Sequence, residues 1–263
     1  VERAPPGRRG LIGAMAGCGA VGGILLGSAT GALLASVMPA EAVEAWGWRI
    51  PFLLGLLVGL AGFLLRRHVQ EEPKVHKKRR SPLVETMRNH SPLLLRLAAV
   101  SVFNSVGFYL MFVYIVTWLE LVDGIPPAHA LGINTISMAA LLPLMILMGW
   151  MTDRFGRKPV MLCALVFGFV GAWPFFWLMH SINPGLVLLG QMGFVIAVGT
   201  FVGTQPTLMV EAAPAAVRCT AIALGYNVTL GIVGGLSPLA ATWLVERAGY
   251  GAWKYSAITA LTW

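Results

Sequence analysis

Seven runs of apolar residues, each long enough to cross a bilayer, alternate with short polar breaks along this chain. They are Leu11 to Val37, Ile50 to Leu65, Leu93 to Val122, Leu131 to Met151, Pro159 to Met179, Leu186 to Val210 and Thr220 to Val245. An eighth begins at Trp253 and continues to Trp263. A hydrocarbon core about 30 Å thick takes about 20 residues of helix. The run from Ile50 is short, and Trp46 and Trp48 extend it with side chains suited to an interface. A segment in lipid has no water to satisfy its backbone, so each run closes its hydrogen bonds within itself. The pattern therefore predicts an all-α integral membrane protein of seven full spans and part of an eighth.

Composition agrees with this reading. Of the 263 residues, 57% are hydrophobic and only 11% charged, against about 25% charged in soluble domains. The net charge of +8 does not point to nucleic acid, because the basic residues lie between the spans rather than along one face. Their placement sets an orientation instead. With the N-terminal stretch inside, every lysine and arginine except Arg49, Arg247 and Lys254 falls on the inner side. The positive-inside rule selects this topology, with the inner side cytoplasmic, and the expected location is a bacterial inner membrane. Cys18, Cys163 and Cys219 lie in or at the ends of apolar runs without paired spacing, so neither a disulfide nor a metal site is expected. Val1 stands where a methionine would, and the chain stops inside an apolar run. It is therefore expected to be a piece of a longer protein.

Residues 66–92, with the sequence EEPKVHKKRRSP inside them, are the one long polar stretch. They are expected to be a cytoplasmic linker, able also to contact anionic lipid. The chain also repeats. Glu2, Pro5 and Arg9 share the spacing of Glu211, Pro214 and Arg218. Each motif precedes a glycine-rich span and then an outer loop ending in Trp48-Arg49 or Trp253-Lys254. Both copies enter the membrane from the same side, so the repeat is parallel.

The break from Gly149 to Pro159, GWMTDRFGRKP, carries the densest chemistry. Gly149 and Gly156 permit a tight turn and close helix approach, and Arg154, Arg157 and Lys158 hold the inner side. Asp153 is an acid among bases at a helix end. It can accept hydrogen bonds from a neighbouring helix N-terminus and pair with arginine. Asp153 and Arg154 are expected to form a charge network with Glu211 and Arg218, latching the inner face; Glu2 and Arg9 are the matching residues of the first repeat. The alternative is a positive-inside loop without a gating role. Gly19, Gly23, Gly27 and Gly31 recur every fourth residue, with Gly13 and Gly17 before them, and Gly231 and Gly235 do so in the later copy. These stripes are expected to receive a neighbouring helix.

Polar residues inside spans are costly and so become substrate-cavity candidates. They are Asn104, Tyr109, Gln191, Gln205, Tyr226 and Asn227, with Tyr114 and Asn134 beside them. Interhelical hydrogen bonding is the other reading of each. Helix phase separates Asn104 from Tyr109, so the two do not line one cavity. No Asp or Glu lies near the middle of a full span, so a proton-coupling acid is expected outside this chain or at Glu2. No catalytic constellation and no phosphate-binding loop appears, hence no enzyme, no cofactor and no ATP drive are expected.

The spacing G-x-x-x-D-R-x-G-R-K matches the short cytoplasmic loop of the major facilitator superfamily. WGWRIPF at Trp46 to Phe52 and E-x-x-P-x-x-x-R-G at Glu2 to Gly10 resemble its metabolite:proton symporter branch, which includes proline and betaine, shikimate, α-ketoglutarate and citrate carriers. The resemblance implies two six-helix halves and a partial major facilitator fold. Residues 1–65 would then hold helices five and six, residues 66–92 the linker between halves, and residues 93–263 helices seven to eleven with the start of twelve. Helices one to four would be missing partners. It further implies proton-coupled import of a small organic acid or zwitterion by alternating access. A facilitator, a proton-driven exporter and a non-transporting membrane sensor or scaffold remain as competing functions. Cys219 follows Arg218 where the first copy has Gly10, a departure from the pattern.

Overall fold

In the computed structural model, described for residues 4–5, 7–67, 82–181 and 183–247, every regular element is a helix. Seven helical stretches are long and apolar enough to cross a membrane: Arg9–Gly31, Gly47–Leu64, Ser91–Leu121, His129–Phe155, Arg157–Met179, Pro184–Ala212 and Arg218–Arg247. Each contains most of one run read from the sequence. The eighth run, from Trp253, lies outside the described residues, as does Glu2.

The helices are α1 (Arg9–Val37), α2 (Ala40–Ala45), α3 (Ile50–Arg67), α4 (Pro82–Asn89), α5 (Ser91–Phe108), α6 (Ile115–Leu121), α7 (Pro127–Phe155), α8 (Arg157–Met179), α9 (Pro184–Ala212) and α10 (Arg218–Val228). Two π-helical segments interrupt the pattern: Tyr109–Tyr114 joins α5 to α6, and Thr229–Gly234 follows α10 before helix resumes at 235–247. At 1.5 Å per residue, the 29 residues of α9 reach about 44 Å.

Punctuation follows residue chemistry. Asn183 caps α9 by accepting from the Gly185 N–H at 2.9 Å, and Pro184 occupies the first turn, where a missing N–H costs nothing. Gly156 ends α7 at φ +88°, a left-handed conformation that residues with a Cβ rarely adopt, and α8 starts at the next residue. Much of the polar stretch 66–92 lies outside the described residues, but 82–89 form α4.

Two compact units divide the chain, Val1–Ala20 with Arg80–Trp263, and Val21–Arg79. In the first, α9 is the most buried element and packs against α7, α8 and α5. Leu97, Met209 and Ala221 form one apolar cluster with Tyr226 against it; Met161, Ala164 and Phe201 form another with Phe103. The outward face of α8 displays Val166, Phe169, Val170, Trp173 and Trp177. A surface this apolar is costly in water and matches lipid. In the second unit, Gly47 packs against Met38, and the Arg49 guanidinium lies 4.4 Å from the Trp48 ring while donating to the Ala45 carbonyl at 2.8 Å.

Glycine packing differs from the expected stripes. A Cβ built on Gly19, Gly23, Gly27, Gly31, Gly231 or Gly235 meets no atom within 4 Å among the described residues. The close approaches fall on Gly10, Gly13 and Gly17 of α1, and on Gly225 and Gly234, where a Cβ would meet Leu97 or Tyr109. Helix geometry explains the first case. Gly10, Gly13 and Gly17 lie on one face of α1 and Gly19 stands roughly opposite, whereas Gly27 and Gly31 come back round toward the first face but lie further along the helix, with no atom of another element within 4 Å among the described residues.

Candidate functional site

The α7–α8 junction forms a charged knot at one end of the spans. Asp153 sits in the last turn of α7 with its side chain 3% exposed. Its Oδ1 accepts from the Gly10 N–H at 2.8 Å, and its Oδ2 from the Leu11 N–H at 3.0 Å. Those donors belong to the first turn of α1, whose early N–H groups have no partner within the helix. A carboxylate at this end satisfies two of them and meets the positive end of the helix dipole. The Asp153 carboxylate also pairs with Arg157 at 2.9 Å.

Arg157 carries the knot to α9. Its Nε and Nη2 donate to the two Glu211 carboxylate oxygens at 3.2 and 3.0 Å, a fork-to-fork pair, and its Nη1 donates to the Thr152 carbonyl at 2.6 Å. One guanidinium thus joins the end of α7 to the end of α9. The network expected from the sequence joins Asp153 and Arg154 to Glu211 and Arg218, with Arg157 and Lys158 beside them, and the structure brings Asp153, Arg157 and Glu211 together. Arg154 instead lies over the Trp150 ring at 4.6 Å, and Arg218 Nε donates to the Ala213 carbonyl at 2.9 Å. The cause is the break at Gly156: the turn into α8 brings Arg157, its first residue, back against Asp153, whereas Arg154, beside Asp153 on α7, points about 100° away. Lys158 is exposed. Arg9 contributes through its carbonyl, which accepts from Thr207 Oγ1 at 3.0 Å.

Backbone contact makes this knot possible. A Cβ on Gly10 would stand 2.3 Å from the Gly149 carbonyl oxygen, and one on Gly149 would stand 2.6 Å from the Ala14 Cβ. A Cβ on Gly13 would meet Thr207 Oγ1 at 2.0 Å. Only glycine lets α1 approach α7 and α9 closely enough for Asp153 to reach its donors.

The intramembrane polar residues separate into two groups. Gln191, Gln205 and Asn104 are buried. Gln205 Nε2 donates to Ser101 Oγ at 2.8 Å. Gln191 Nε2 donates to the Met111 carbonyl at 3.1 Å and reaches Asn134 Oδ1 at 3.3 Å, while Asn134 Nδ2 donates to the Phe112 carbonyl at 3.0 Å. Met111 and Phe112 belong to the π-helical segment Tyr109–Tyr114. Side chains from α9 and α7 therefore bond carbonyls where the regular helix ladder is interrupted. Tyr109 and Tyr226 are half-buried and Asn227 is exposed, so the six candidates do not line one cavity. An apolar cavity of about 190 Å³ lies elsewhere, between Tyr114, Ile115 and Trp118, Phe176 of α8, and Ser237 and Ala241. Neither the cavity nor the π-segments were legible in the sequence, since no composition marks them.

The model of the Major Facilitator Superfamily matches residues 1–238, and the chain belongs to that family. It is 30% identical over 262 residues to the glycine betaine/proline/ectoine/pipecolic acid transporter of Dickeya dadantii. It is 28% identical over 262 residues to the proline/betaine transporters of Salmonella typhimurium and Escherichia coli K12. These alignments take in 94% of this chain and 52% of each relative. The chain thus spans about half the length of these relatives, whose names are those of transporters rather than enzymes and agree with the metabolite:proton symporter branch. No solved structure matches it significantly.

Proposed function

We propose that this chain is the larger part of a secondary transporter that imports a small zwitterionic or acidic metabolite by proton symport and alternating access, in a bacterial inner membrane. In this reading residues 1–65 end the first six-helix half, 66–92 link the halves, and 93–263 form most of the second. The relatives named for proline and glycine betaine favour a zwitterion with a compact cationic nitrogen. Helices one to four of the complete protein would cover the face of α1 that carries Gly19.

The observation that carries the reading is the capping of α1 by Asp153. Under this register α1 is the fifth helix and α7–α8 the eighth and ninth, so one carboxylate ties the first half to the second at the cytoplasmic end. Arg157 and Glu211 brace it. Opening inward requires this cap to separate and return its donors to water; closing restores it. The knot then acts as a latch on the state closed to the cytoplasm.

Uptake of labelled proline or glycine betaine by the full-length protein in proteoliposomes tests the proposal. Accumulation is expected with an inward proton gradient and is expected to collapse when an uncoupler removes it. Uptake indifferent to the gradient would exclude symport, and no saturable uptake of any small metabolite would exclude transport.

A further inference from the structure

We propose that Asp123 and His180 form a proton-binding site at the outer end of the bundle, opposite the Asp153 knot. Its use in transport rests on the symport reading above, but its existence does not. Neither residue lies within a span. Asp123 follows α6 and precedes a turn at Gly124, and His180 follows the last residue of α8. The chain separates them widely, yet His180 Nδ1 is paired with Asp123 Oδ1.

The burial of this pair is asymmetric. The Asp123 side chain is 6% exposed, whereas that of His180 is 35% exposed. Asp123 Oδ2 is buried with no hydrogen-bond partner among the described residues. A carboxylate with one oxygen left dry pays for its charge, and a proton removes that cost. The imidazole bonds Oδ1 and is itself partly exposed, so it supplies a path by which a proton enters. Burial pushes the Asp123 carboxyl up to about 6, against the opposing pull of the His180 charge and hydrogen bond. The pair titrates as a unit, taking up one proton from the outer water as pH falls through that value.

Few neighbours compete for the role. Within the compact unit that holds the pair, Glu120 on α6, His129 at the start of α7, and Glu246 with Arg247 at the end of 235–247 are the other charged or imidazole groups of this end among the described residues. The first turn of α9 brings none, and Asp123 makes its one ion pair with His180. The pair also touches the cavity wall. The Trp118 ring lies 6.2 Å from the His180 ring and 6.0 Å from Phe176, and both Trp118 and Phe176 line the 190 Å³ cavity. A change of charge at His180–Asp123 therefore acts on a residue that lines that cavity.

Infrared difference spectroscopy on the full-length protein in lipid tests this directly. Lowering the pH from about 8 to about 5 is expected to raise a buried protonated-carboxyl band with a midpoint near 6, and D123N is expected to abolish it. The His180 charge holds the carboxyl down, so H180Q is expected to raise the midpoint by about one unit, a tenfold change in proton affinity. This second variant decides the matter should D123N fail to fold. A band that survives D123N, or a midpoint that H180Q leaves in place, overturns the site. Uptake measured on the same samples separates the two ideas. Wild-type uptake is expected to rise as the outer pH falls through 6, and D123N to lose that dependence. The band together with gradient-independent uptake would keep the proton site and sink symport. Gradient-driven uptake without the band would do the reverse.

Discussion

At the scale of single residues, the function proposed for this chain depends on one carboxylate holding two backbone N–H groups and one guanidinium. Charge-assisted bonds of this kind contribute about 1.5–3 kcal/mol each, and more is lost when a buried partner is left unpaired. D153N keeps the size of the side chain but removes the charge and turns one oxygen into a donor facing donors. A fall of about 2 kcal/mol or more in the stability of the closed state is expected. Between α1 and α7, a cysteine cross-link on the inner surface of the full-length protein should form less readily in D153N than in wild type. R157K tests the fork. Lysine keeps the charge but cannot engage both Glu211 oxygens in one plane, so R157K is expected to fall between wild type and R157Q in the same assay. The acid of this knot was legible in the sequence because an aspartate at a helix end among bases has few other uses. The identity of its arginine was not, because that depends on helix phase on either side of the Gly156 break.

At the scale of elements, the sequence announced each span through its apolar run, since length and hydropathy alone settle that question in lipid. It said less about which face of a span meets a neighbour. The glycines of α1 look alike as letters, yet among the described residues only Gly10, Gly13 and Gly17, on one face of its first turns, are closely packed. A pair of substitutions separates a packed glycine from an open one. Gly203 would place a Cβ 2.6 Å from the Met145 carbonyl oxygen, whereas Gly132 has open space around it. G203A is expected to lower the melting temperature of the purified protein and to reduce uptake. G132A is expected to leave both unchanged or to raise stability by up to about 1 kcal/mol through helix propensity. The π-helical segment Tyr109–Tyr114 gives a further expectation. Gln191 bonds the Met111 carbonyl from α9, so Q191L should cost about 1–3 kcal/mol through the carbonyl and amide left unsatisfied. Thermal unfolding in detergent measures it. An unchanged melting temperature would mean that the segment needs no outside donor.

At the scale of the whole molecule, the distribution of lysine and arginine predicts which end faces the cytosol, and both proposed sites rest on that prediction. The Asp153 knot must lie inside for it to act as an inner latch, and Asp123–His180 must lie outside for it to meet incoming protons. The two stand at opposite ends of the spans: His129–Phe155 begins shortly after Asp123 and carries Asp153 in its last turn, and Arg157–Met179 returns to His180. One labelling experiment therefore tests both placements. With Cys18, Cys163 and Cys219 replaced by alanine, a single cysteine at Ser81 is expected to react with a membrane-impermeant maleimide only in inside-out vesicles. A single cysteine at Ser181 is expected to react only in right-side-out vesicles. The basic residues from Arg66 to Arg96 make inversion costly, because the anionic inner leaflet attracts each of them by about 1 kcal/mol and translocating them is disfavoured. Reaction of both positions from one side would break the alternation of spans itself. Exchange of the two sides would keep the fold and put the knot on the periplasmic face, where it would have to gate the outer mouth instead.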